Sequence, residues 1–340
     1  MPHGEDKKIR VGVIGAGGVG AIHARAYLDH PSVEFVGICD TDPGRLAEKI
    51  SLLRVEGYQS VSELIAKGRP DLVSVVVQHD RFEAPIEECF DAGVHVLSEK
   101  PISFDPSKIL RLMRMAEKSG LRFGVNFNQR FSRASKWFKR LSAEQRFGEI
   151  LWTLAQYNQD QVQKGFSLRE HMIHMFDLWR YHLGEIEAVS AQARGFDGDP
   201  HKGEKGVVGG TVRFTAGPIG VFTNGAPPAG GPFQYYEIAG TEGRGYCENF
   251  IGKACFRTMG QEIYQVLDPP WGEKGGYYWD MAVTHLSQVV EAMQNDQAMP
   301  VPAAAAFEAQ CICDAVIQAV STGGRVDVQA RRRELLGGTG

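Results

Sequence analysis

Three groups of residues in this 340-residue chain have types and spacing suited to chemistry. The first is Gly15-Ala16-Gly17-Gly18-Val19-Gly20, which directly follows the compact apolar run Ile9 to Ile14 and opens a helical pattern. In that context Gly15 allows the tight turn, Gly17 lets the backbone approach a pyrophosphate, and Gly20 lets helix and strand lie close. The helix amino terminus offers N–H groups and partial positive charge to phosphates. The next apolar run, Val33 to Cys39, ends in Asp40, about twenty residues beyond the last glycine, where an acid accepts hydrogen bonds from ribose hydroxyls. The same acid would repel a 2′-phosphate by about 4 kcal/mol at about 4 Å in a partly screened site, so NAD is expected over NADP. The second group is Gly93-Val94-His95-Val96-Leu97-Ser98-Glu99-Lys100-Pro101. Pro101 biases Lys100 away from helical geometry, so a lysine is presented where a short buried strand ends, the edge at which open α/β sheets bind ligands. A solvated lysine on an ordinary strand exit is the plainer reading. The third group is Glu170, His174, Asp177 and Tyr181, spaced four, three and four apart and so on one helix face. An imidazole between carboxylates suits proton transfer near neutral pH, and a structural polar network is the alternative. With no H-E-x-x-H pattern, a metal role for His171 and His174 is not expected.

The elements that must position these groups follow from the pattern of apolar residues. The first 126 residues alternate strand and helix. Helices are expected at Arg45–Ile50, Val61–Lys67, Phe82–Asp91 and Ser107–Ser119. Further strands are expected near Tyr58, at Asp71–Val77, at Val94–Leu97 and at Leu121–Asn126. Six strands with helical crossovers predict a doubly wound dinucleotide-binding domain, residues 1–126. The rest, 127–340, is expected to be one α+β domain. Ser132 caps a basic amphipathic helix through Leu141, with Arg133, Lys136, Lys139 and Arg140 on a solvated face. A strand runs from Ile150 to Asn158, and a largely enclosed helix runs from Leu168 to Gly184. Strands at 207–214, 220–223, 235–239 and 245–250 make a large, mainly antiparallel sheet. Gly240-x-x-Gly243-x-Gly245 has no helix after it and reads as a hairpin turn. Two helices, Tyr277–Met293 and Ala303–Val320, follow. Tyr157, Asn158, Tyr236 and Trp279 are candidates for a substrate pocket. The glycine- and proline-rich loops at 195–209, 224–232 and 268–276 line such a pocket or are surface.

Composition narrows the function classes. Lys and Arg total 37 against 41 Asp and Glu, a net charge of −4, which gives no broad attraction to nucleic acid or anionic lipid. The six cysteines are scattered without a C-x-x-C pair, a usage suited to a reducing compartment. The start MPHGEDKKIR lacks the apolar core of a signal peptide, and no apolar run reaches bilayer length. A cytoplasmic protein that binds neither membrane nor nucleic acid is expected.

Taken in order, the strand-initial G-x-G-x-x-G, the Glu99-Lys100-Pro101 strand end and the Glu170-x-x-x-His174-x-x-Asp177 helix resemble the glucose–fructose oxidoreductase and inositol dehydrogenase (Gfo/Idh/MocA) family. The likeness runs from Ile9 to about Val328 and includes Asn128-x-Arg130-Phe131, Gly148-x-Ile150 and Gly323–Val326. The resemblance implies a Rossmann domain followed by an α/β domain whose open sheet forms homodimers or homotetramers. It implies hydride transfer between nicotinamide and a hydroxyl-bearing carbon of a sugar, sugar derivative or cyclic polyol. Lys100 would be the catalytic lysine, often before a cis-proline, His174 the acid–base histidine, Glu170 its orienting carboxylate, and Asp177 a substrate contact, with Asn158 beside it. The cofactor set would be Gly15, Gly17, Gly18, Val19, Gly20, Asp40, Arg45, Val77, Gln78, Glu99 and Lys100, with no metal. Two departures stand out: Glu170 replaces the family's aspartate, and Val77-Gln78-His79-Asp80-Arg81-Phe82 replaces its T-P-x-x-x-H. Rival uses of such a chain are a lyase or hydrolase with transiently reduced NAD, a non-catalytic dinucleotide sensor, and a scaffold.

Overall fold

The structure, a computed structural model, describes residues 8–78, 81–158, 168–194, 206–225, 233–248, 253–261, 264–267 and 276–337. It divides into two compact units, Met1–Asn128 with Trp279–Phe307, and Gln129–Tyr278 with Glu308–Gly340.

In the first unit the order is β1 (Ile9–Ile14), α1 (Gly18–Leu28), β2 (Val33–Cys39), α2 (Pro43–Leu53), β3 (Gly57–Tyr58) and α3 (Val61–Glu63), the last running into a π turn, Leu64–Gly68. Then come β4 (Leu72–Val75), α4 (Glu83–Asp91), β5 (His95–Ser98), α5 (Pro106–Lys118) and β6 (Phe123–Val125). The strands pair in parallel in the order β3-β2-β1-β4-β5-β6, so the chain reverses direction across the sheet between β1 and β4. That is the doubly wound arrangement expected from the alternation, and its switch point lies at the end of β1. Two helices start by the same local device: Asp42 and Asp105 accept from the Arg45 and Ser107 N–H groups, with Pro43 and Pro106 at the first turn.

The second unit begins with a 3₁₀ turn, of which Gln129–Phe131 belong to it, and α6 (Arg133–Ala143), capped by Ser132 as expected. It continues through β7 (Ile150–Asn158), a π turn at Leu168–Met172, α7 (Ile173–Leu183), β8 (Ile186–Arg194), β9 (Val207–Phe214), β10 (Ile219–Gly225), β11 (Phe233–Gly240), β12 (Gly243–Glu248), β13 (Ala254–Thr258) and β14 (Gln265–Leu267). The chain ends with α8 (Gly276–Gln294), α9 (Ala304–Thr322), β15 (Val326–Asp327) and α10 (Val328–Gly337). Among the described residues the sheet has nine strands, ordered β14-β13-β12-β11-β7-β10-β9-β8-β15, and only β7 and β10 pair in parallel. Gly240 and Gly243 flank a two-residue hairpin between β11 and β12, so this glycine string is a turn. The strand expected at 245–250 starts two residues earlier, and residues 249–250 lie outside the described ones.

One face of that sheet carries α7. Trp179 stands edge-on to Phe214 at 5.8 Å and Phe176 edge-on to Phe222 at 5.5 Å. The Trp179 indole donates to Thr153 Oγ1 at 2.8 Å, which in turn donates to the Glu237 carbonyl. Each such ring contributes about 1.5–3 kcal/mol by burial, so the helix is fixed by its apolar faces and its polar stripe is carried as a passenger.

A boundary at 126 would leave all later chain in the second domain, but Trp279–Phe307 belongs to the first unit. Leu286, Val289 and Val290 of α8, with Met299, join Val11, Val13, Leu72 and Leu97 in one core. Apolar periodicity marks a helix without saying which core its apolar face enters. No helix among the described residues is long and apolar enough to cross a membrane.

Candidate active site

The glycine turn is built as its sequence requires. Gly15 has φ +108°, and a Cβ there would lie 1.9 Å from the Val76 carbonyl oxygen at the end of β4. A Cβ on Gly20 would meet the Gly15 carbonyl oxygen at 1.8 Å, so this glycine sets how closely α1 approaches β1. Gly17 and Gly18 are different: among the described residues, no atom beyond the chain neighbours and the helix's own backbone stands within 4 Å of a Cβ placed on either. Packing among the described residues gives no reason for glycine at these two positions. The amino terminus of α1 has no side-chain cap and no acidic residue in its first turn. Open space, uncapped N–H groups and partial positive charge fit a dinucleotide pyrophosphate. Val19 lies in that first turn.

Asp40, at the end of β2, is nearly buried. Its carboxylate accepts from Ala16 N at 2.8 Å and Asp42 N at 2.9 Å, which ties the glycine turn to β2. Arg45 donates to both of its oxygens, Nε at 3.0 Å and Nη2 at 3.3 Å. These four donors occupy the four lone-pair positions of a carboxylate. A ribose hydroxyl can bond to Asp40 only by taking the place of Arg45, the more exposed partner. Arg45 was expected as a cofactor contact. The structure makes it the counter-ion of Asp40, which softens the repulsion on which discrimination against a 2′-phosphate rests. Val77 is half-buried and Gln78 exposed beyond β4; His79 and Asp80 lie outside the described residues.

Lys100 follows β5 and Glu99, and its peptide bond to Pro101 is cis. Glu99 is buried. One of its oxygens faces His23 Nε2 at 3.1 Å and the Asn126 amide nitrogen at 2.5 Å, and the other accepts from the Lys100 backbone N–H at 3.2 Å. Burial works against its charge, but the hydrogen bond and the charge of His23, the Asn126 hydrogen bond and the Lys100 ammonium outweigh burial and hold Glu99 below the usual carboxylate range.

The expected residues of the third group belong to the second unit. The helix expected over Leu168–Gly184 is a π turn through Met172 followed by α7, so Glu170 sits on the wider turn and His174 on the regular helix. Single π turns within helices are frequent at functional sites. His174 and Asp177 are buried and Glu170 is half-buried. Asp177 and Tyr181 do meet a common partner, Arg130 from the turn before α6. Its Nε donates to Asp177 Oδ2 at 2.7 Å, its Nη2 donates to Oδ1, and its Cζ lies 5.1 Å from the Tyr181 ring centre. Burial raises the Asp177 carboxyl against the pull of Arg130. Burial also works against the Arg130 charge, but there the Asp177 carboxylate prevails and the guanidinium pKa is raised. Arg130 was noted in the sequence only as part of a motif; nothing local points it at a residue 47 positions away.

Of the pocket candidates, Tyr236 is fully buried and its hydroxyl bonds to His182 Nδ1 at 2.8 Å, an interior role. Trp279 packs on the core of the first unit. Tyr157 is buried with its ring 5.4 Å from that of His171, and Asn158 closes β7, half-buried. The loops at 195–209, 224–232 and 268–276 lie largely outside the described residues.

Comparison with known proteins adds an independent line. Residues 9–127 match the model of an oxidoreductase family with an NAD-binding Rossmann fold, Gfo/Idh/MocA, and residues 135–245 match a Gfo/Idh/MocA C-terminal domain, together more than half of the chain. Myo-inositol 2-dehydrogenase of Thermotoga maritima is 29% identical over 283 residues, 79% of this chain and 81% of that protein. D-glucoside 3-dehydrogenase of Escherichia coli is 28% identical over 205 residues, 55% of this chain and 58% of that protein. A crystal structure of an oxidoreductase from Agrobacterium radiobacter, in complex with NAD+, L-tartaric acid and magnesium, superposes with a TM-score of 0.85 at 18% identity, over 95% of this chain and 99% of that one. With the glycine turn, the sheet order and the two-part match in agreement, this chain belongs to the Gfo/Idh/MocA family of oxidoreductases with an NAD-binding Rossmann fold.

Proposed function

We propose that the protein is an NAD-dependent dehydrogenase that moves a hydride between nicotinamide and a secondary hydroxyl carbon of a sugar, sugar derivative or cyclic polyol, with Lys100 and His174 as its catalytic pair. The observation that carries this reading is Lys100 at the carboxyl end of β5, in the same parallel sheet as the glycine turn and held there by a buried carboxylate. The named relatives, an inositol and a glucoside dehydrogenase, support the substrate class.

Gly15, Gly17, Gly18, Val19 and Gly20 hold the pyrophosphate, and Asp40 holds the ribose once Arg45 yields. Val77 and Gln78 flank the cofactor beyond β4. Bound NAD supplies the hydride acceptor. Lys100 donates a hydrogen bond to the reacting oxygen. His174 takes the hydroxyl proton, Glu170 orients its ring, and Asp177 and Asn158 contact the substrate hydroxyls. A panel of polyols, aldoses and sugar derivatives with NAD and NADP, followed at the absorbance of reduced cofactor, tests the reading. Lys100→Ala and His174→Ala should each lower kcat by at least about a hundredfold on the substrate so found. Full turnover in either variant would remove the pair. Product formation without accumulation of reduced cofactor would point instead to transient oxidation within a lyase or hydrolase cycle.

The second sheet supports a homodimer or homotetramer. Trp152, Ile219 and Val221 lie side by side on neighbouring strands β7 and β10 and are exposed, a contiguous apolar face of the kind that partners cover. Sedimentation of a Trp152→Glu/Ile219→Glu variant as a monomer is the expected result. The described cysteines are all buried and no disulfide joins them, in keeping with the cytoplasm.

A further inference from the structure

The π turn Leu168–Met172 lies in the second unit, and two other elements of that unit fasten it. Such turns are rare, so the surroundings of this one must favour it over continued α-helix. Its two ends, Leu168 and Met172, are buried, and the Tyr157 ring of β7 lies 5.4 Å from the ring of His171. Helix α9 makes two further contacts from adjacent residues. Asp314 Oδ1 accepts from Arg169 Nη2 at 2.7 Å, and Cys313 Sγ donates to the Leu168 carbonyl at 3.9 Å. Glu170 sits between the residues so held.

The ion pair is poorly explained as a source of stability. Both side chains are 17% exposed, so each charge has given up most of its water. Burial raises the Asp314 carboxyl, against the pull of Arg169, Gln310 and Arg331. A pair in such surroundings adds little net stability over apolar side chains of the same volume. What it supplies is direction, because a charge-assisted hydrogen bond fixes the geometry of both partners. Gln310, one turn earlier on α9, also hydrogen-bonds the Asp314 carboxyl, so the acceptor is itself oriented. Cys313 is fully buried, and burial raises its thiol, which stays a neutral S–H able to donate.

We propose that Asp314, with Cys313 beside it, is a positioning residue: through Arg169 and the Leu168 carbonyl, α9 holds the π turn in the shape that sets Glu170 against His174. Glu170 has one more rotatable bond than the family's aspartate, so a firmly set backbone matters more for placing its carboxylate. The consequence for turnover rests on the proposed function, in which Glu170 orients His174; the hold of α9 on the turn does not.

The test is amide hydrogen exchange of the full chain without substrate, read by mass spectrometry on peptides covering residues 168–174. In Asp314→Ala these amides should exchange about tenfold faster than in wild type, the effect of one charge-assisted hydrogen bond. The double variant Arg169→Met/Asp314→Leu removes both charges, should keep the stability of wild type, and should show the same faster exchange. It decides if Asp314→Ala does not fold. Glu308→Gln breaks a different ion pair of α9, with Arg332, and should leave the turn as it was. Unchanged exchange at 168–174 in either folded variant overturns the proposal, as does an equal rise over the whole second unit. On a substrate found by the panel, Asp314→Ala should lower kcat about tenfold with KM for NAD unchanged. The acid limb of its pH profile should move to lower pH, since a displaced Glu170 no longer favours the imidazolium of His174. Glu308→Gln should change neither. If the exchange behaves as stated and no carbohydrate or polyol is oxidised, the proposed function fails and the hold of α9 on the turn stands. If a substrate is oxidised and neither kcat nor the acid limb changes in a variant whose turn has loosened, the positioning role is overturned and the proposed function stands.

Discussion

Replacing Asp177 by asparagine tests whether the Arg130 pair is what makes a buried carboxylate tolerable on α7. In the folded chain Asp177 is 1% exposed and the Arg130 side chain 14%, and two hydrogen bonds join them. Removing one charge of such a pair leaves the other buried and uncompensated, at a cost of about 3–5 kcal/mol. Asparagine keeps one acceptor oxygen and recovers about 1 kcal/mol of that. The Tyr181 ring beneath Arg130 is present in both proteins and does not alter the difference. The expected loss is about 3 kcal/mol, or about 6–12 °C in Tm for a unit of this size. Urea unfolding at pH 7, followed by tryptophan fluorescence, measures it. The m-value should be unchanged and the midpoint lower. Because the pair is buried, raising the salt concentration should leave the loss nearly unaltered. A double variant, Arg130→Met/Asp177→Leu, removes both charges and should regain more than half of the loss. The reasoning is refuted if Asp177→Asn lies within about 1 kcal/mol of wild type, or if the double variant is less stable than the single one.

Asp40→Ala removes the acid and releases Arg45 for an anion, so NADP affinity should rise about tenfold relative to NAD in fluorescence titration; an unchanged preference would show that Asp40 does not set it. Burial lowers His182 to about 3, with the Ser135 backbone bond acting in the other direction. An unfolded histidine takes its proton near 6.5 while the folded one stays neutral, so stability present above pH 6.5 is lost as pH falls toward 3, at about 1.4 kcal/mol per pH unit. The stability of His182→Gln should therefore fall less steeply between pH 6 and 4.5, and parallel curves for the two proteins would refute this.

The sequence by itself determined what is settled within a few residues. The Gly15–Gly20 turn, the Asp42-Pro43 and Asp105-Pro106 helix starts, the Ser132 cap and the Gly240–Gly243 hairpin are local geometry, and each formed where its residues stand. The parallel sheet was legible for the same reason, since β-branched runs separated by amphipathic helices leave few other arrangements. Tertiary structure alone decided which distant groups meet. Arg130 reaches Asp177, Arg45 occupies Asp40, and α8 returns to the first core, where His285 meets Asn126. These partners are selected by burial, which forces a charged or polar group to find whatever complement the packing brings near. Periodicity records that a face is covered and carries no record of what covers it. Lys100 shows both sides: its place at a strand end follows from Pro101 and the apolar run before it, whereas the carboxylate that holds it depends on three elements far apart in the chain.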